Sequence, residues 1–280
     1  MGSALYEQAA GRAYFDEANE ILGFDIAEIM LRGSEEDLRQ TRVTQPAIFL
    51  HSVVTAALRL SSEAQIDAVA GHSLGEFSAL VAAQALSWQD GLRLVYQRAM
   101  AMQRACDAQA GTMAAIMTND FAIVENACAQ IQSEHSAVVV PANYNNPGQL
   151  VISGSIEGVR LAGELLRTQG AKVIALSVGG AFHSPLMQPA QDELRAAIEN
   201  TEFAAPRCPI YQNVDAQPTT DIATIRRKLT EQLTAPVRWQ QTIENMLAAD
   251  IRQFVEVGGK GSILLGMVRK IDRSAEMNNL

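Results

Sequence analysis

The sequence predicts an α/β fold in which a mostly parallel sheet is covered by helices on both faces. Short apolar runs typical of strands alternate with helical patterns over most of the chain, as expected for parallel strands joined by helical crossovers. The alternation changes between residues 111 and 178, where two strands follow one another directly. A motif of strand, tight turn and helix occupies residues 66–85, and such turns lie at strand ends of α/β sheets. We therefore expect one large body that is interrupted by a smaller unit.

The composition excludes several classes of protein. The 280 residues are 48% hydrophobic and 19% charged, which is enough apolar material for a sizeable core. The net charge is −9 without any basic block, so nucleic acid is not an expected partner. No apolar run approaches the ~20 residues of a membrane span, and no signal peptide pattern opens the chain. Three widely spaced cysteines predict reduced thiols in a cytoplasmic protein, and no spacing of metal ligands is present, so no metal is expected.

The elements of the large body follow from apolar periodicity and from residues that favour helix ends. Thr44-Gln45-Pro46 predicts a helix start, because proline is favoured in the first helical turn, and Ser87 is a good cap for the long helix after it. Residues 32–44 are polar and predict a loop, and residues 274–280 predict a loose end. The expected helices cover 5–22, 25–30, 44–60, 74–85, 87–108, 185–199, 221–233, 239–248 and a last one ending near 271, and the expected strands cover 66–70, 208–214 and 252–257.

The middle of the chain predicts a unit with its own pattern. Its strands are expected over residues 112–118, 137–142, 150–153 and 172–178, and its helices over 120–132 and 156–168. The resulting order β-α-β-β-α-β is that of the ferredoxin-like split unit. We therefore divide the chain into a catalytic body over residues 1–110 and 179–280 and an inserted subdomain over residues 111–178.

The chemistry that the sequence indicates is centred on residues 71–75, Gly-His-Ser-Leu-Gly. This G-x-S-x-G motif follows an apolar run over 66–70 and precedes a helical pattern, which is the setting of a nucleophile elbow. The turn exposes the hydroxyl of Ser73, and the two glycines let neighbouring backbone pass close by. The helix start favours negative charge, so the N–H of Leu74 is expected to stabilise an oxyanion. A chance motif on a glycine-rich turn is the alternative, and the flanking strand and helix argue against it.

A serine nucleophile needs a base within hydrogen-bond reach, and the chain offers four histidines. His72 is adjacent to the serine, so its side chain is expected to point away from it. His51 lies in an apolar helix and favours a packed core role, and His135 lies in a polar turn. His183 lies in a glycine-rich loop between a strand and a helix that begins with proline, at a place where α/β active sites gather. The sequence therefore favours His183 as the base, without an obvious acidic third member.

Five segments together carry a resemblance to a known family. They are Gly71-His72-Ser73-Leu74-Gly75-Glu76, Gln97-Arg98-Ala99-Met100-Ala101-Met102-Gln103, Asn143-Tyr144-Asn145-Asn146-Pro147-Gly148-Gln149, Gly180-Ala181-Phe182-His183-Ser184-Pro185-Leu186-Met187, and Gln232-Leu233 with Pro236-Val237-Arg238-Trp239. In this order they resemble the malonyl-CoA:acyl-carrier-protein transacylases of fatty acid and polyketide synthesis. The resemblance covers nearly the whole chain and implies an α/β-hydrolase-like large domain with a ferredoxin-like subdomain, in agreement with the element order above.

The resemblance also implies roles for individual residues. Ser73 is acylated, His183 is its base, and the N–H of Leu74 is an oxyanion donor. The family holds this histidine with a main-chain carbonyl, which corresponds to Gln232 and explains the missing acid. Arg98 matches the arginine that pairs with the malonyl carboxylate, and a guanidinium fork suits such binding. The alternative for Arg98 is the exposed position that most helix arginines have.

Three further positions are implied to contact or select the substrate. Asn143 and Asn145 match positions near the substrate in the family, and ordinary turn chemistry is their alternative. Phe182 and Leu74 resemble the residues of malonyl users among related polyketide domains. The ring of Phe182 leaves less room for an α-methyl branch, although one methyl group contributes only about 1–3 kcal/mol of discrimination.

By resemblance, the expected activity is ping-pong acyl transfer with two substrates, malonyl-CoA and a phosphopantetheinylated acyl carrier protein, and no cofactor. We expect a cytoplasmic monomer. An acyl hydrolase acting on carrier proteins is one alternative, against which Arg98 argues. A non-catalytic scaffold that binds carriers is another, against which Ser73 and His183 argue. Family members begin with a strand and an F-P-G-Q-G-S-Q loop whose glutamine is a second oxyanion donor. This chain begins with Met1-Gly2-Ser3, which resembles the stretch just after that loop, so we expect the natural protein to have further N-terminal residues.

Overall fold

The computed structural model describes residues 1–60, 65–259 and 262–280, which form a mixed α/β structure. The helix bounds agree with the sequence predictions within a few residues for most elements. The helices of the described ranges are α1 Ser3–Tyr6, α2 Ala9–Leu22, α3 Ile26–Arg32, α4 Glu35–Arg39, α5 Thr41–Arg59, α6 Gly75–Ala82, α7 Trp88–Ala108, α8 Phe121–His135, α9 Ile156–Thr168, α10 Gln188–Glu199, α11 Ile222–Glu231, α12 Trp239–Ala248 and α13 Ile263–Ile271, with a 3-10 turn at Pro185–Met187.

The strands of the large body form two small sheets. In the first, β1 (Val69–Ala70) pairs in parallel with β6 (Ile210–Tyr211), and β6 pairs antiparallel with β7 (Pro218–Thr219). In the second, β8 (Gln253–Glu256) pairs in parallel with β9 (Glu276–Asn279). Two of these three pairs are parallel, as predicted, but the strands divide between two sheets instead of forming one.

The predicted middle unit forms a four-stranded antiparallel sheet. Its strands are β2 (Gly111–Met117), β3 (Val139–Asn146), β4 (Gln149–Ser155) and β5 (Lys172–Ala175), in the order β3-β4-β2-β5. Helices α8 and α9 lie between strands in the chain, so the predicted order β-α-β-β-α-β is confirmed. Side chains of these helices and strands share a hydrophobic cluster that is separate from the larger cluster of the body.

The predicted loop over residues 32–44 is wrong. The side chain of Ser34 accepts a hydrogen bond from the Asp37 N–H, and the Asp37 carboxylate accepts one from the Ser34 N–H. This capping box starts α4, because it satisfies two amide groups that a helix start leaves unpaired. Helix α5 then begins at Thr41, not Thr44, so Pro46 lies inside the helix instead of near its start.

The predicted loose C-terminus is also wrong. The segment Glu276–Asn279 pairs with β8 over four residues, so its backbone groups have partners. Ala275 is buried beside this strand, and Met277 packs against the same hydrophobic cluster. A polar sequence with one apolar side chain gives little strand signal. The pairing also depends on β8, which is separated from this segment in the chain by α13.

The packing of the body places the end of β1 beside the main core. Helix α7 packs against both α5 and α10, and α6 packs against α5 and α7. Phe77 and Leu80 anchor α6 in the main hydrophobic cluster, so the packing of this helix holds the turn that precedes it. No described helix combines the length and the apolar composition needed to cross a membrane.

Candidate active site

Ser73 lies on a tight turn between β1 and α6, with a backbone φ of 51° in the left-handed region that serine rarely adopts. A Cβ atom on Gly71 would lie 2.0 Å from the carbonyl carbon and oxygen of Gly75, so the turn requires glycine at position 71. A Cβ atom on Gly75 would meet nothing within 4 Å. The prediction that glycine admits neighbouring backbone is therefore confirmed for Gly71 and wrong for Gly75.

The hydroxyl of Ser73 contacts the side chain of His183. Its Oγ lies 2.7 Å from Nε2 of His183, and Nδ1 of the same ring lies 2.9 Å from the carbonyl oxygen of Gln232. Because a carbonyl only accepts, Nδ1 carries the proton and Nε2 is free to accept one from Ser73. Burial and the nearby charge of Arg98 lower the pKa of His183 to about 3, so the imidazole is neutral near pH 7. The chain thus brings together a hydroxyl and a neutral base.

Arg98 is buried beside the same hydroxyl. Its Nη2 donates to Ser73 Oγ at 3.0 Å and to Gln232 Oε1 at 3.4 Å, and its Nη1 donates to Gln45 Oε1. Burial lowers the pKa of Arg98 to about 10, and the charge of Glu76 opposes that shift, so the guanidinium stays cationic near pH 7. All three acceptors are neutral oxygens. The alternative prediction that Arg98 is exposed is therefore wrong. Because the described residues give Arg98 only neutral acceptors, its guanidinium can pair with an anionic ligand.

One amide group of the turn is free to meet an oxyanion. The N–H of Ser73 donates to Asn213 Oδ1 at 2.7 Å, and the N–H of Gly75 donates to the His72 carbonyl at 2.9 Å. The N–H of Leu74 donates to none of the described residues. Since Leu74 directly follows Ser73 at the start of α6, this N–H adds a donor to the partial positive charge of the helix end.

Comparison with known proteins shows the family. A family model described as "Acyl transferase domain" matches residues 1–279. The chain belongs to this acyl transferase domain family. A relative from Bacillus subtilis named "Malonyl CoA-acyl carrier protein transacylase" is 40% identical over 275 residues, which are 98% of this chain and 86% of the relative. A relative of the same name from Salmonella typhimurium is 39% identical over 92% of this chain and 83% of its own length.

Solved structures resemble this acyl transferase domain over its whole length. A crystal structure described as MCAT from Streptococcus pneumoniae superposes with a TM-score of 0.93 at 38% identity, covering 100% of this chain and 91% of that one. A structure described as a type II PKS acyl-carrier protein in complex with its malonyl-transacylase superposes with a TM-score of 0.92 at 34% identity, covering 99% and 89% of the two chains.

Within the described ranges, His72, Asn143 and Asn145 of the acyl transferase domain make no hydrogen bond with the serine hydroxyl. His72 points away from it, as predicted: its Nε2 lies 2.9 Å from Asn145 Oδ1, and its ring packs on Trp239. Asn145 thus contacts the elbow at His72, the residue before the serine. Asn143 is buried on β3, and within the described ranges no hydrogen bond joins its side chain to Ser73 or to the base.

Phe182 directly precedes His183 and lies partly buried between the main hydrophobic cluster and a smaller one. Its ring packs beside Gly180, where a Cβ atom would lie 2.8 Å from the ring. His51, in α5, is half-buried, His135 is exposed at the end of α8, and within the described ranges neither shares a hydrogen bond with the Ser73 hydroxyl.

The sequence predictions assigned no role to several residues that hold this site. Glu76 lies in the quoted motif, and its presence three residues after the serine was the available signal. Gln45 contacts Arg98 across 53 positions of sequence, and Asn213 contacts the serine amide across 140. Asn213 follows β6, and a polar residue at a strand end was the signal for it. In the described part of this acyl transferase domain, no group of three or more His, Cys, Asp or Glu residues could hold a metal ion.

Proposed function

We propose that the protein moves a malonyl group from CoA to the phosphopantetheine thiol of an acyl carrier protein. The observation that carries the proposal is that one oxygen atom, Ser73 Oγ, contacts both a neutral base and a buried cation. His183 Nε2 lies 2.7 Å from it and Arg98 Nη2 lies 3.0 Å from it. The relatives named malonyl CoA-acyl carrier protein transacylases and the carrier complex of a similar structure support the choice of substrates.

In the first half-reaction, His183 Nε2 takes the hydroxyl proton while Ser73 Oγ forms a bond to the thioester carbonyl carbon. The carbonyl oxygen becomes an oxyanion, which the free N–H of Leu74 stabilises in the transition state. The carbon–sulfur bond then breaks, and the proton passes from His183 to the sulfur of CoA. The product is a malonyl ester of Ser73. The Gln232 carbonyl holds the ring through Nδ1 and stabilises the imidazolium that forms.

The second half-reaction uses the same groups in reverse. The thiol of the carrier gives its proton to His183, and its sulfur attacks the ester carbon. The bond to Ser73 Oγ breaks, and this oxygen recovers the proton from the ring. No cofactor takes part in the proposed chemistry, because both half-reactions only exchange one acyl bond for another.

Arg98 supplies the selectivity for a carboxylated acyl group. In the free protein its guanidinium has three neutral acceptors, and its Nε has no partner among the described residues. A malonyl carboxylate gives this buried cation an anionic partner, and such charge-assisted bonds are about twice as strong as neutral ones. Phe182, Asn143 and Asn145 complete the proposed substrate site.

The finer architecture is part of the proposal. We assign residues 1–110 and 179–280 to an α/β-hydrolase-like catalytic domain and residues 111–178 to a ferredoxin-like subdomain. The strand order β3-β4-β2-β5 and the separate hydrophobic cluster of the middle unit support this division. The three free cysteines support a cytoplasmic location.

Intact-mass measurement after mixing with malonyl-CoA tests the proposed function. We expect a malonyl adduct on the protein, its absence in Ser73→Ala, and its transfer when a phosphopantetheinylated carrier is added. Release of malonate at the same rate without a carrier would instead indicate an acyl hydrolase. Absence of any adduct on the wild-type protein would indicate a scaffold that only binds carriers.

A further inference from the structure

Glu76 is a fully buried carboxylate beside the proposed site, although it touches none of the reacting atoms. We infer that Glu76 is a positioning residue, whose ionised carboxylate holds Gln232 and Asn213 and, through them, fixes His183 and the backbone of Ser73 in the geometry that acylation needs. The inference rests on the proposed function for its chemistry.

Three N–H donors from two distant parts of the chain converge on this carboxylate. Gln212 Nε2 donates to Oε1 at 2.9 Å, while the Asn213 backbone N–H and Gln232 Nε2 donate to Oε2 at 3.0 and 2.9 Å. Glu76 itself lies in the first turn of α6, next to the elbow. The carboxylate therefore joins three segments of the fold at one point: the elbow, the end of β6 and the end of α11.

One path from this point leads to the serine backbone. Asn213 is held by Glu76 through its main-chain N–H, and its side chain contacts the elbow twice. Its Oδ1 accepts from the Ser73 N–H at 2.7 Å, and its Nδ2 donates to the Gly71 carbonyl at 2.7 Å. These bonds stabilise the left-handed backbone of Ser73, which the isolated turn would disfavour.

A second path leads to the base. The side chain of Gln232 donates to both Glu76 Oε2 and the Ser73 carbonyl, at 2.9 and 3.0 Å. Its main-chain carbonyl accepts from His183 Nδ1 at 2.9 Å. Because the side chain is bonded at both of these points, the carbonyl has little freedom to move. The ring orientation of His183 thus depends on the anchoring of Gln232.

The chemistry of the three partners favours an ionised carboxylate at position 76. All three are N–H donors, so both oxygens must accept, and a glutamine would turn an NH₂ group towards at least one of them. Burial raises the pKa of Glu76, and the hydrogen bonds from Gln212, Gln232 and Asn213, together with the charge of Arg98, oppose that shift. With its carboxylate ionised, Glu76 carries the charge opposite to that of Arg98 in an otherwise neutral site.

The test compares Glu76→Gln with Glu256→Gln, a matched control. Glu256 is also a buried carboxylate that accepts two N–H bonds, from Leu264 and Leu265 at the start of α13, and within the described ranges it shares no hydrogen bond with the elbow. Melting temperature, single-turnover acylation by malonyl-CoA, and inactivation by a neutral serine-reactive phosphonate are measured for both. The phosphonate reports on Ser73 and His183 even if malonyl transfer is not the function of the protein.

We expect Glu76→Gln to slow acylation and phosphonate inactivation by about 10- to 100-fold, the effect of a reacting group displaced by about 1 Å, with the apparent affinity for malonyl-CoA little changed. Glu256→Gln is expected to react within about twofold of wild type at a similar loss of melting temperature, as a distant substitution should. A second variant, Gln232→Met, keeps the carbonyl and removes the side-chain anchor, so it tests the same path if Glu76→Gln does not fold. We expect it to be slowed comparably, and the double variant to be no slower than the slower single variant.

Three results would overturn the inference: wild-type reactivity in a folded Glu76→Gln, wild-type reactivity in Gln232→Met, or single losses that multiply in the double variant. A wild-type protein that reacts with the phosphonate but forms no malonyl ester would refute the proposed function alone, and the phosphonate rates would still decide the role of Glu76.

Discussion

Arg98 donates a hydrogen bond from Nη2 to the hydroxyl oxygen of Ser73 across 3.0 Å. Because that oxygen accepts from the guanidinium, its own proton is directed to the other neighbour, Nε2 of His183 at 2.7 Å. The cation thus orients the nucleophile for deprotonation as well as lying where an acyl carboxylate on Ser73 could reach it. In the proposed mechanism, this double contact links the rate of acylation to the recognition of the acyl group.

Replacement of Arg98 by alanine should weaken malonyl transfer more than acetyl transfer. The acetyl group has no carboxylate, so only the malonyl reaction loses a buried charge-assisted pair, and removing one partner of such a pair costs roughly 2–5 kcal/mol. Rates of acylation by malonyl-CoA and acetyl-CoA measure the difference. Arg104→Ala is the control, since Arg104 lies on the same helix but is exposed and paired with Glu193. Equal losses for both substrates would mean that Arg98 does not select the carboxylate.

Ser73→Ala should abolish the covalent malonyl adduct while the protein stays folded. No other hydroxyl in the described ranges shares a hydrogen bond with both His183 and Arg98, so no substitute nucleophile is available. Intact mass after incubation with malonyl-CoA provides the readout, and peptide mapping locates any residual adduct. An adduct of wild-type yield on this variant would place the nucleophile elsewhere.

His183→Ala should slow acylation by several orders of magnitude. Nucleophile and base act as a unit, so adding Ser73→Ala to this variant should cause little further loss. Single-turnover rates give the comparison, and His135→Ala, at an exposed helix end, should react as the wild type does. A near-normal rate in His183→Ala would assign the base to another group.

The free protein should keep its reactivity as the pH falls below neutral. Burial and the charge of Arg98 lower the pKa of His183 to about 3, from the 6.5 of an ordinary histidine, so the ring remains an unprotonated base. We expect the rate of inactivation by a neutral phosphonate to be flat between about pH 5 and 8. An inflection near the ordinary histidine value would contradict a buried, neutral base.

The same pKa shift predicts a change of stability with pH. His183 binds no proton in the folded state, whereas the unfolded chain gains one below its ordinary pKa of about 6.5. The contribution of this residue to the free energy of unfolding is therefore full above that pH and decreases as the pH falls below it. Chemical denaturation at several pH values gives the free energy of unfolding of the wild-type protein and of His183→Gln. We expect the wild type to lose stability relative to this variant as the pH falls from 6.5 towards about 3.

The two glycines of the elbow should respond oppositely to alanine. A Cβ atom on Gly71 would meet the backbone of Gly75 at 2.0 Å, so Gly71→Ala must displace the turn, and overpacking of this kind costs about 1–3 kcal/mol or more. Gly75→Ala has open space at the start of α6, and a Gly→Ala change at a compatible position stabilises by roughly 0.4–1 kcal/mol because the unfolded chain has less conformational freedom. Denaturation midpoints and acylation rates check both. Similar behaviour of the two variants would contradict the proposed crowding at Gly71.

The elbow could be predicted from sequence because its strand, turn and helix are contiguous and each has a local pattern. His183 could be singled out only by its loop, since it lies 110 residues from Ser73 and the fold alone brings them into contact. The role proposed for the Gln232 carbonyl depended on family resemblance, because every residue has a main-chain oxygen and no sequence pattern marks the one that a histidine will use.

The wrong predictions have a common physical cause. The polar composition of residues 32–44 predicted a loop. A capping box of Ser34 and Asp37 instead starts a helix there, although the segment has few apolar residues. At the C-terminus the strand over 276–279 exists because β8 is beside it, and pairing across a sheet has no local signal. The convergence on Glu76 was equally hidden, since its three partners lie 136 to 156 positions away.

During synthesis of the chain, the antiparallel sheet of the middle unit can form before the hydrogen bonds that complete the elbow site. All four of its strands lie between residues 111 and 175, so they can pair as soon as that stretch has left the ribosome. The strand before Ser73 has to wait for Ile210 and Tyr211, and the ring of His183 has to wait for Gln232. A nascent chain therefore adds 159 further residues after Ser73 before it contains the Gln232 carbonyl that accepts from His183.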